Sequence, residues 1–122
     1  MKIPNCEKSI VEDEKITAYL LNDSHFIGKH KSKYFKRFGF DAADIGTFKE
    51  SLIQHSIDRD IGNSKKSKFG KKYELKCEIK TPDKRNPCVV TIWIVEKDNA
   101  CPRLITAYPT TNKKNYVNKI IL

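Results

Sequence analysis

Residues 72–80 have the sequence KYELKCEIK, which alternates strictly between apolar and charged side chains. This alternation predicts a β-strand with one buried face, because successive side chains of a strand point to opposite sides. The apolar face carries Tyr73, Leu75, Cys77 and Ile79. Residues 88–95, CVVTIWIV, are apolar on nearly both faces and predict a central strand covered on each side.

Turn residues join these two segments, and a third strand follows them. The segment between them, TPDKRNP, is rich in residues that favour turns, so the two strands are expected to form an antiparallel hairpin. The sequence RLITAY at residues 103–108 predicts the third strand, which Pro109 terminates.

Three helices are predicted ahead of this sheet, because the spacing of the apolar residues there matches a helical turn. The first covers residues 12–21 and stops at the turn residues 22–24. The second runs over residues 29–38 and ends at Gly39, a residue suited to the left-handed conformation that closes helices. The third starts at Thr47, where T-x-x-E matches a capping box, and extends to about Asp60.

Helices followed by antiparallel strands predict an α+β fold, with three N-terminal helices packed on one face of a small twisted antiparallel sheet. The opposite face is then available for a ligand. We expect one domain over residues 1–122. Its expected parts are a helical half at 10–60, a basic linker at 62–71, the sheet at 72–109 and a tail at 110–122 that adds a short strand or helix.

The charge balance points to a polyanionic partner. The chain has 24 basic and 15 acidic residues, giving a net charge of +9. Such a balance is typical of proteins that bind nucleic acid or an acidic protein, so we expect RNA and an acidic antitoxin or immunity protein as partners. The chain has no long apolar stretch and no signal peptide, which predicts a cytoplasmic location without a membrane partner. The oligomeric state stays open.

No metal and no cofactor are expected. The cysteines at positions 6, 77, 88 and 101 include no C-x-x-C pair, and no histidine lies at ligand spacing from them. We expect them to be buried and reduced, with Cys77 and Cys88 on neighbouring strands. Phosphate-binding loops, dinucleotide fingerprints, H-E-x-x-H and G-x-S-x-G are all missing. Carboxylates do not cluster on an apolar face, which argues against a metal-dependent nuclease.

Lys31 is the first candidate site residue. On the second helix, an outward basic stripe is formed by Lys29, Lys33, Lys36 and Arg37. Lys31 instead projects between Phe35 and Phe38 on the apolar face, although lysine is almost never buried without a partner. Two interpretations stay open: its ammonium reaches the rim of the core, or it lines a partly desolvated pocket and neutralises a phosphate.

His55 is the second candidate, on the apolar face of the third helix beside Leu52 and Arg59. A histidine in this position is either a core residue or a general acid or base. Strand alternation places Thr106 and Tyr108 on one face, where two hydroxyl groups grip a phosphate or simply fill the strand.

The same alternation puts Leu104 beside Thr106 and Tyr108, and puts Arg103 and Ile105 on the other face. Trp93 shares a face of the central strand with Thr91, and it either stacks on a base or belongs to the core. The remaining residues expected to bind RNA are Lys65, Lys66, Lys68, Lys71, Lys72 and Tyr73.

Several segments together resemble a bacterial domain family of unknown function, found alone and at the ends of large toxin-like proteins. The segments are YLLN (19–22), GKHKSKYFKRFGF (28–40), LIQHS (52–56), KYELKCEIKTPDKR (72–85), TIWIV (91–95) and PRLITAYP (102–109). More distantly, the resemblance reaches the barnase and RelE-like superfamily of metal-independent ribonuclease toxins. It implies functional positions at Lys31, His55, Tyr73, Arg103, Thr106 and Tyr108. The chain departs from the family pattern at Ser32, Tyr34 and Lys84.

The sequence therefore predicts a metal-independent ribonuclease-type toxin domain that cleaves RNA, such as tRNA, through the 2′-OH. Lys31 and Arg103 would hold the scissile phosphate and His55 would move protons, while Thr106 and Tyr108 would orient the phosphate oxygens. A nucleic-acid-binding module without catalysis is one alternative. The other is an antitoxin or adaptor, in which Lys31 and His55 serve only the core.

Overall fold

The helical half of the chain contains three α-helices in the computed structural model, which describes residues 1–110. Helix α1 covers Asp13–Lys15 and continues directly into a π-helical turn at Ile16–Leu20. Helix α2 covers Gly28–Arg37 and α3 covers Ile45–Asp58. A short 3₁₀ turn at Cys6–Lys8 precedes them. The three predicted helices are therefore present, although the first is mostly a π-helical turn.

Helix α3 begins earlier than the capping box predicted. Asp44 is its N-cap, and the carboxylate of Asp44 accepts a hydrogen bond of 3.3 Å from the backbone N–H of Thr47. The hydroxyl group of Thr47 also donates to Asp44, at 2.7 Å. Thr47 is therefore the N3 residue of the helix, and the acidic side chain three positions earlier satisfies the free backbone donor.

The sheet has four antiparallel strands in the order β1-β2-β3-β4. They are β1 at Ile61–Ser67, β2 at Gly70–Glu78, β3 at Cys88–Glu96 and β4 at Asn99–Pro109. The α+β class is confirmed, but the predicted basic linker at 62–71 is wrong, because most of it forms β1 and its turn. Strand β1 lies at the edge and is exposed over nearly its whole length, so it lacks the apolar alternation that revealed the others.

A tight turn at residues 68–69 connects β1 to β2, and Gly70 follows it with a φ of +150°. A side chain at Gly70 would overlap the carbonyl oxygen of Val95 on β3. Gly70 is therefore required both by its backbone conformation and by this close approach. The other edge of the sheet is partly covered, because the backbone of Ile10 pairs with β4 beside Arg103.

The hydrophobic core joins all three helical segments to the sheet. Its largest fully buried side chains are Trp93, Phe35, Phe48, Ile3, Ile16, Leu20, Leu52, Leu75, Ile79 and Leu104. Phe48 stacks on Phe40 with ring centroids 4.3 Å apart, and Phe35 contacts both rings. Burial of these apolar surfaces is the main source of stability. Within residues 1–110, no helix has the length and apolar character needed to cross a membrane.

Two of the cysteines differ from the prediction of reduced, buried thiols. Cys77 on β2 and Cys88 on β3 form a disulfide, with their Cα atoms 4.0 Å apart. Cys77 has a φ of +134°, so it leaves the regular alternation, and its side chain is exposed although Leu75 and Ile79 on either side are buried. Cys6 and Cys101 are free and half-buried. The predicted structure in the tail lies outside the described residues, except for Thr110.

Candidate functional site

Lys31 is held at the meeting point of α2, the π-helical turn and β4. Its Nζ donates a hydrogen bond of 2.6 Å to the hydroxyl group of Tyr19 and one of 3.0 Å to Thr106 Oγ1. The rings of Tyr19 and Tyr108 lie 4.9 Å and 5.6 Å from the same ammonium group. Lys31 is half-buried, and within residues 1–110 no carboxylate forms an ion pair with it. Its positive charge is therefore held by neutral groups alone.

Tyr19 is a site residue that the sequence prediction did not include. Its hydroxyl group shares a hydrogen bond of 3.1 Å with Thr106 Oγ1 in addition to the one from Lys31. Burial alone would raise the pKa of the Tyr19 phenol, but these hydrogen bonds and the charges of Lys31 and Lys15 outweigh it, and the pKa lies below its ordinary value. Sequence periodicity counted Tyr19 only as an apolar residue of the first helix.

A β-bulge in β4 decides which side chains share a face with Thr106. Ile92 of β3 pairs with Thr106 and Trp93 pairs with Leu104, so Ile105 is an extra residue without a partner on β3. Leu104 consequently points into the core, where it is 1% exposed. The predicted alternation around residue 104 is therefore wrong, because the bulge brings Arg103 to the side of Thr106 and Tyr108.

We call this side of the sheet the site face and the opposite side the core face. Cross-strand pairing aligns three rows of residues on the site face, namely Glu74, Ile92 and Thr106; Lys72, Ile94 and Arg103; and Lys76, Val90 and Tyr108. Neighbouring strands are about 4.8 Å apart, so Glu74 and Thr106 stand about 10 Å apart across Ile92. The half-buried side chain of Ile92 lies between them.

Glu74 is a second residue that the sequence prediction passed over, because it appeared only as a charged residue of the solvent side of β2. Its side chain is 26% exposed, and its described ion pair, with Lys76, is long at 3.9 Å. Burial raises the pKa of Tyr108, and the negative charge of Glu74 raises it further. The carboxylate is therefore close enough to act on the groups around Lys31.

Arg103 lies on the site face but is already paired. Its guanidinium contacts Glu96 at 2.9 Å and Glu12 at 3.6 Å. The hydrogen bond to Glu96 raises the pKa of Arg103, against an opposing effect of burial, and both carboxylates add to the increase. A phosphate at Arg103 would have to share the guanidinium with these two carboxylates.

His55 lies on the core face and not beside Lys31. Its Nε2 donates a hydrogen bond of 2.9 Å to the carbonyl oxygen of Cys77, and its Nδ1 accepts a hydrogen bond of 3.0 Å from Thr91 Oγ1. The Thr91 oxygen in turn accepts a hydrogen bond of 2.9 Å from Trp93 Nε1. Burial lowers the pKa of His55 to about 4, and Arg59 contributes to the decrease while the hydrogen bond to Cys77 opposes it. His55 is thus a neutral core residue with both ring nitrogens bonded.

Two aromatic residues of the predicted RNA-binding set, Trp93 with its expected base stacking and Tyr73, are also buried. Trp93 is fully enclosed and Tyr73 is 7% exposed, with Lys71 Nζ 5.5 Å from the Tyr73 ring. Stacking needs an accessible ring face, so neither ring is available to a base in this structure. Trp93 is a core residue.

The predicted basic residues form two exposed groups. On α2, Lys29, Lys33 and Arg37 are exposed, while Lys36 forms an ion pair of 3.1 Å with Asp23. On the β1–β2 hairpin, Lys65 pairs across the strands with Lys72 on the site face, whereas Lys66 pairs with Lys71 on the other side. Lys68 lies in the turn. A shallow cavity of about 170 Å³ beside this hairpin is lined by Asn63, Ser64, Lys65, Lys72, Tyr73, Glu74 and Ile92.

A family model described as a domain of unknown function, DUF6883, matches residues 2–111. The chain belongs to the DUF6883 family. This DUF6883 domain is also similar to a chain in the solved contact-dependent growth inhibition toxin and immunity protein complex from Klebsiella pneumoniae 342. The TM-score is 0.67 at 19% identity, with 88% of this chain and 98% of that chain covered, which shows a shared fold. None of the curated proteins compared with the chain matches it.

Chemically, the site combines an uncompensated cation with three hydroxyl groups and, across one strand, a carboxylate. Within residues 1–110, no group of three or more His, Cys, Asp or Glu side chains could hold a metal ion. Lys31 and the hydroxyl group of Thr106 are suited to the oxygens of one phosphate group, since both can donate hydrogen bonds to an anion. Glu74 is suited to accept a proton from a neighbouring hydroxyl group.

Proposed function

We propose that this DUF6883 domain is a toxin that cleaves RNA without a metal, by attack of a 2′-OH on the neighbouring phosphate. The observation that carries the proposal is the Lys31 ammonium group, held by Tyr19 and Thr106 without a carboxylate. A half-buried cation of this kind lacks its counter-ion, and a phosphate group on the site face supplies one.

The toxin class draws support from the fold shared with a chain of a growth inhibition toxin and immunity protein complex. The resemblance of the sequence motifs to a family of toxin-like proteins, and more distantly to barnase and RelE, points the same way. An immunity protein is accordingly the partner that we propose. With a net charge of +9 on the toxin, an acidic immunity protein would bind it with electrostatic steering. We propose the cytoplasm as its place of action, because tRNA, the proposed substrate, is found there.

We also infer that the helices gather on the core face, as the sequence predicted, and that RNA binds on the site face, where Val90 and Ile94 are buried and Ile92 between them is partly exposed. Among residues 1–110, Lys31 and Tyr19 reach the site face at the edge formed by β4, and Glu12 reaches Arg103 there. The chain over residues 1–122 then acts as one domain. RNA would run from the basic residues of α2 across the site face to Lys65 and Lys72 on the β1–β2 hairpin.

In this proposal Lys31 stabilises the charge that develops on the phosphate in the transition state. Thr106 and Tyr108 orient the phosphate oxygens, and Arg103 contributes a weaker positive field because two carboxylates share it. Glu74, rather than His55, removes the proton of the attacking 2′-OH. His55 instead links α3 to β2 and β3 through its two hydrogen bonds.

The test is incubation of the purified protein with total tRNA in EDTA, comparing wild type with Lys31→Met and Lys33→Met. Lys33 is a matched control, since it lies on the same helix but is exposed. Loss of the Lys31 charge should lower the cleavage rate by about 100-fold or more, and Lys33→Met should leave it within a few fold. Intact tRNA with wild type, or full cleavage by Lys31→Met, would remove the proposal.

The second candidate is a nucleic-acid-binding module without catalysis, favoured by the exposed lysines of α2 and the β1–β2 hairpin. It predicts tRNA binding that weakens steeply with salt and generates no new RNA ends. The same tRNA samples, resolved on a denaturing gel and by filter binding, distinguish the two functions. Binding with no new ends would favour the module.

A further inference from the structure

Tyr19 holds a position in the site that the roles proposed above leave unused. Its hydroxyl group lies 2.6 Å from Lys31 Nζ and 3.1 Å from Thr106 Oγ1, so it adjoins the place assigned to the phosphate. It belongs to a π-helical turn, Ile16–Leu20, which interrupts the regular helical pattern. Single π-helical turns are rare in proteins as a whole, and those that do occur are often found at functional sites. Within this turn the phenol of Tyr19 contacts Thr106 on β4, while Ile16 and Leu20 are buried in the core.

We propose that Tyr19 is the general acid of the cleavage reaction and donates its phenolic proton to the leaving 5′-oxygen. This inference rests on the proposed function and extends it. The 2′-oxygen forms a bond to phosphorus while its proton passes to the Glu74 carboxylate. The bond between phosphorus and the 5′-oxygen breaks, and that oxygen takes the proton of Tyr19. The products are a 2′,3′-cyclic phosphate and a free 5′-OH, and water returns the proton from Glu74 to Tyr19.

The surroundings of Tyr19 suit this role better than those of Tyr108. The ammonium group of Lys31 donates to the phenolic oxygen and would stabilise the phenolate that remains after proton transfer. The described groups that face Tyr19 are Lys15 on its own segment, His25 in the following loop, Lys31 on α2 and Thr106 on β4. Cations therefore favour release of the Tyr19 proton, whereas burial and Glu74 retain the proton of Tyr108.

A positioning role, in which Tyr19 only orients Lys31, predicts a different pattern of rates. The two roles separate when the leaving group no longer needs a proton. We would compare wild type with Tyr19→Phe on tRNA and on nucleoside 3′-(4-nitrophenyl phosphates) of all four bases, because 4-nitrophenolate leaves without protonation. Tyr34→Phe is the matched control, since Tyr34 is a half-buried tyrosine of α2 that packs on Phe35 and Phe38 instead of Lys31.

A general acid contributes about 100-fold to 10,000-fold, so Tyr19→Phe should slow tRNA cleavage by at least about 100-fold. Its rate on the aryl esters should stay within a few fold of wild type, and Tyr34→Phe should match wild type on both substrates. Equal losses on both substrates, or no loss on either, would overturn the role. A wild-type protein that cleaves neither substrate overturns the proposed function, and this inference falls with it.

A second variant keeps the phenol and avoids any question of folding. Replacement of Tyr19 alone by 3-fluorotyrosine makes the phenol more acidic at nearly the same size. The alkaline limb of the rate against pH should move to lower pH, because the acid loses its proton earlier. An unmoved limb in an active, folded protein would contradict the inference even if Tyr19→Phe were slow.

Discussion

Acidification should destabilise this domain through His55, in a pH window set by its burial. The folded protein holds the pKa of His55 at about 4, whereas an unperturbed histidine titrates at about 6.5. The difference of about 2.5 pH units, at about 1.4 kcal/mol per unit, corresponds to a loss of about 3 kcal/mol in the free energy of unfolding. His55 is 2% exposed, so solvent does little to reduce this figure.

The direction follows from which state binds the proton. Above pH 6.5 His55 is neutral in both states, and the free energy of unfolding does not depend on it. Between pH 6.5 and pH 4 only the unfolded chain binds the proton, so the free energy of unfolding falls as the pH falls. Below pH 4 both states are protonated, and the full loss has already occurred. Protonation would also break the hydrogen bond that Nδ1 accepts from Thr91.

The assay is urea unfolding at pH 7, 6, 5 and 4.5, followed by the fluorescence of Trp93, the single tryptophan of the chain. His55→Gln keeps an N–H for the Cys77 carbonyl and an acceptor for Thr91 but cannot titrate. Its free energy of unfolding should therefore stay nearly flat across the window, while the exposed control His30→Gln keeps the wild-type slope. A wild-type slope in His55→Gln would refute the reasoning.

Two further predictions concern the turn that carries Tyr19 and the path of the RNA. A side chain at Gly28 would overlap the carbonyl oxygen of Tyr19, so Gly28→Ala should lower the free energy of unfolding by about 2 kcal/mol. The Gly46→Ala variant has room for its side chain and should not lower the free energy of unfolding. Equal urea midpoints for the two variants would contradict this prediction. Lys65→Ala should reduce the slope of the logarithm of the binding constant for single-stranded RNA against the logarithm of the salt concentration by about 0.7. Lys66→Ala, on the other side of the hairpin, should leave this slope unchanged. Equal slope changes in the two variants would contradict the proposed path of the RNA.

Sequence periodicity predicted the parts of the fold whose side chains alternate between core and solvent. Strands β2 and β3 and helices α2 and α3 carry such patterns, so they were found within a few residues. Strand β1 was missed because an exposed edge strand of lysine, serine and asparagine has the composition of a loop. The disulfide was missed because it depends on the local backbone of Cys77, which interrupts the alternation.

The candidate site was predicted in part for the same reason. Lys31 stood out because a lysine on an apolar helical face needs a structural explanation, and the structure surrounds it with Thr106 and Tyr108. Helical geometry singled out His55 equally well, but it cannot tell a neutral, doubly bonded imidazole from one exposed to a substrate. Tyr19 looked like an ordinary core residue, because only the tertiary contact with Lys31 reveals the polar end of its ring.

The extra residue in β4 has a consequence for how members of this family can vary. Deletion of Ile105 would bring Leu104 next to Thr106, so that Arg103, Leu104 and Thr106 alternate regularly and keep the sides they have now. Leucine would stay opposite Trp93 in the core and the cation opposite Ile94, so the strand can lose this one residue without turning its side chains over. Relatives without that residue can therefore keep the same site face on a regular strand.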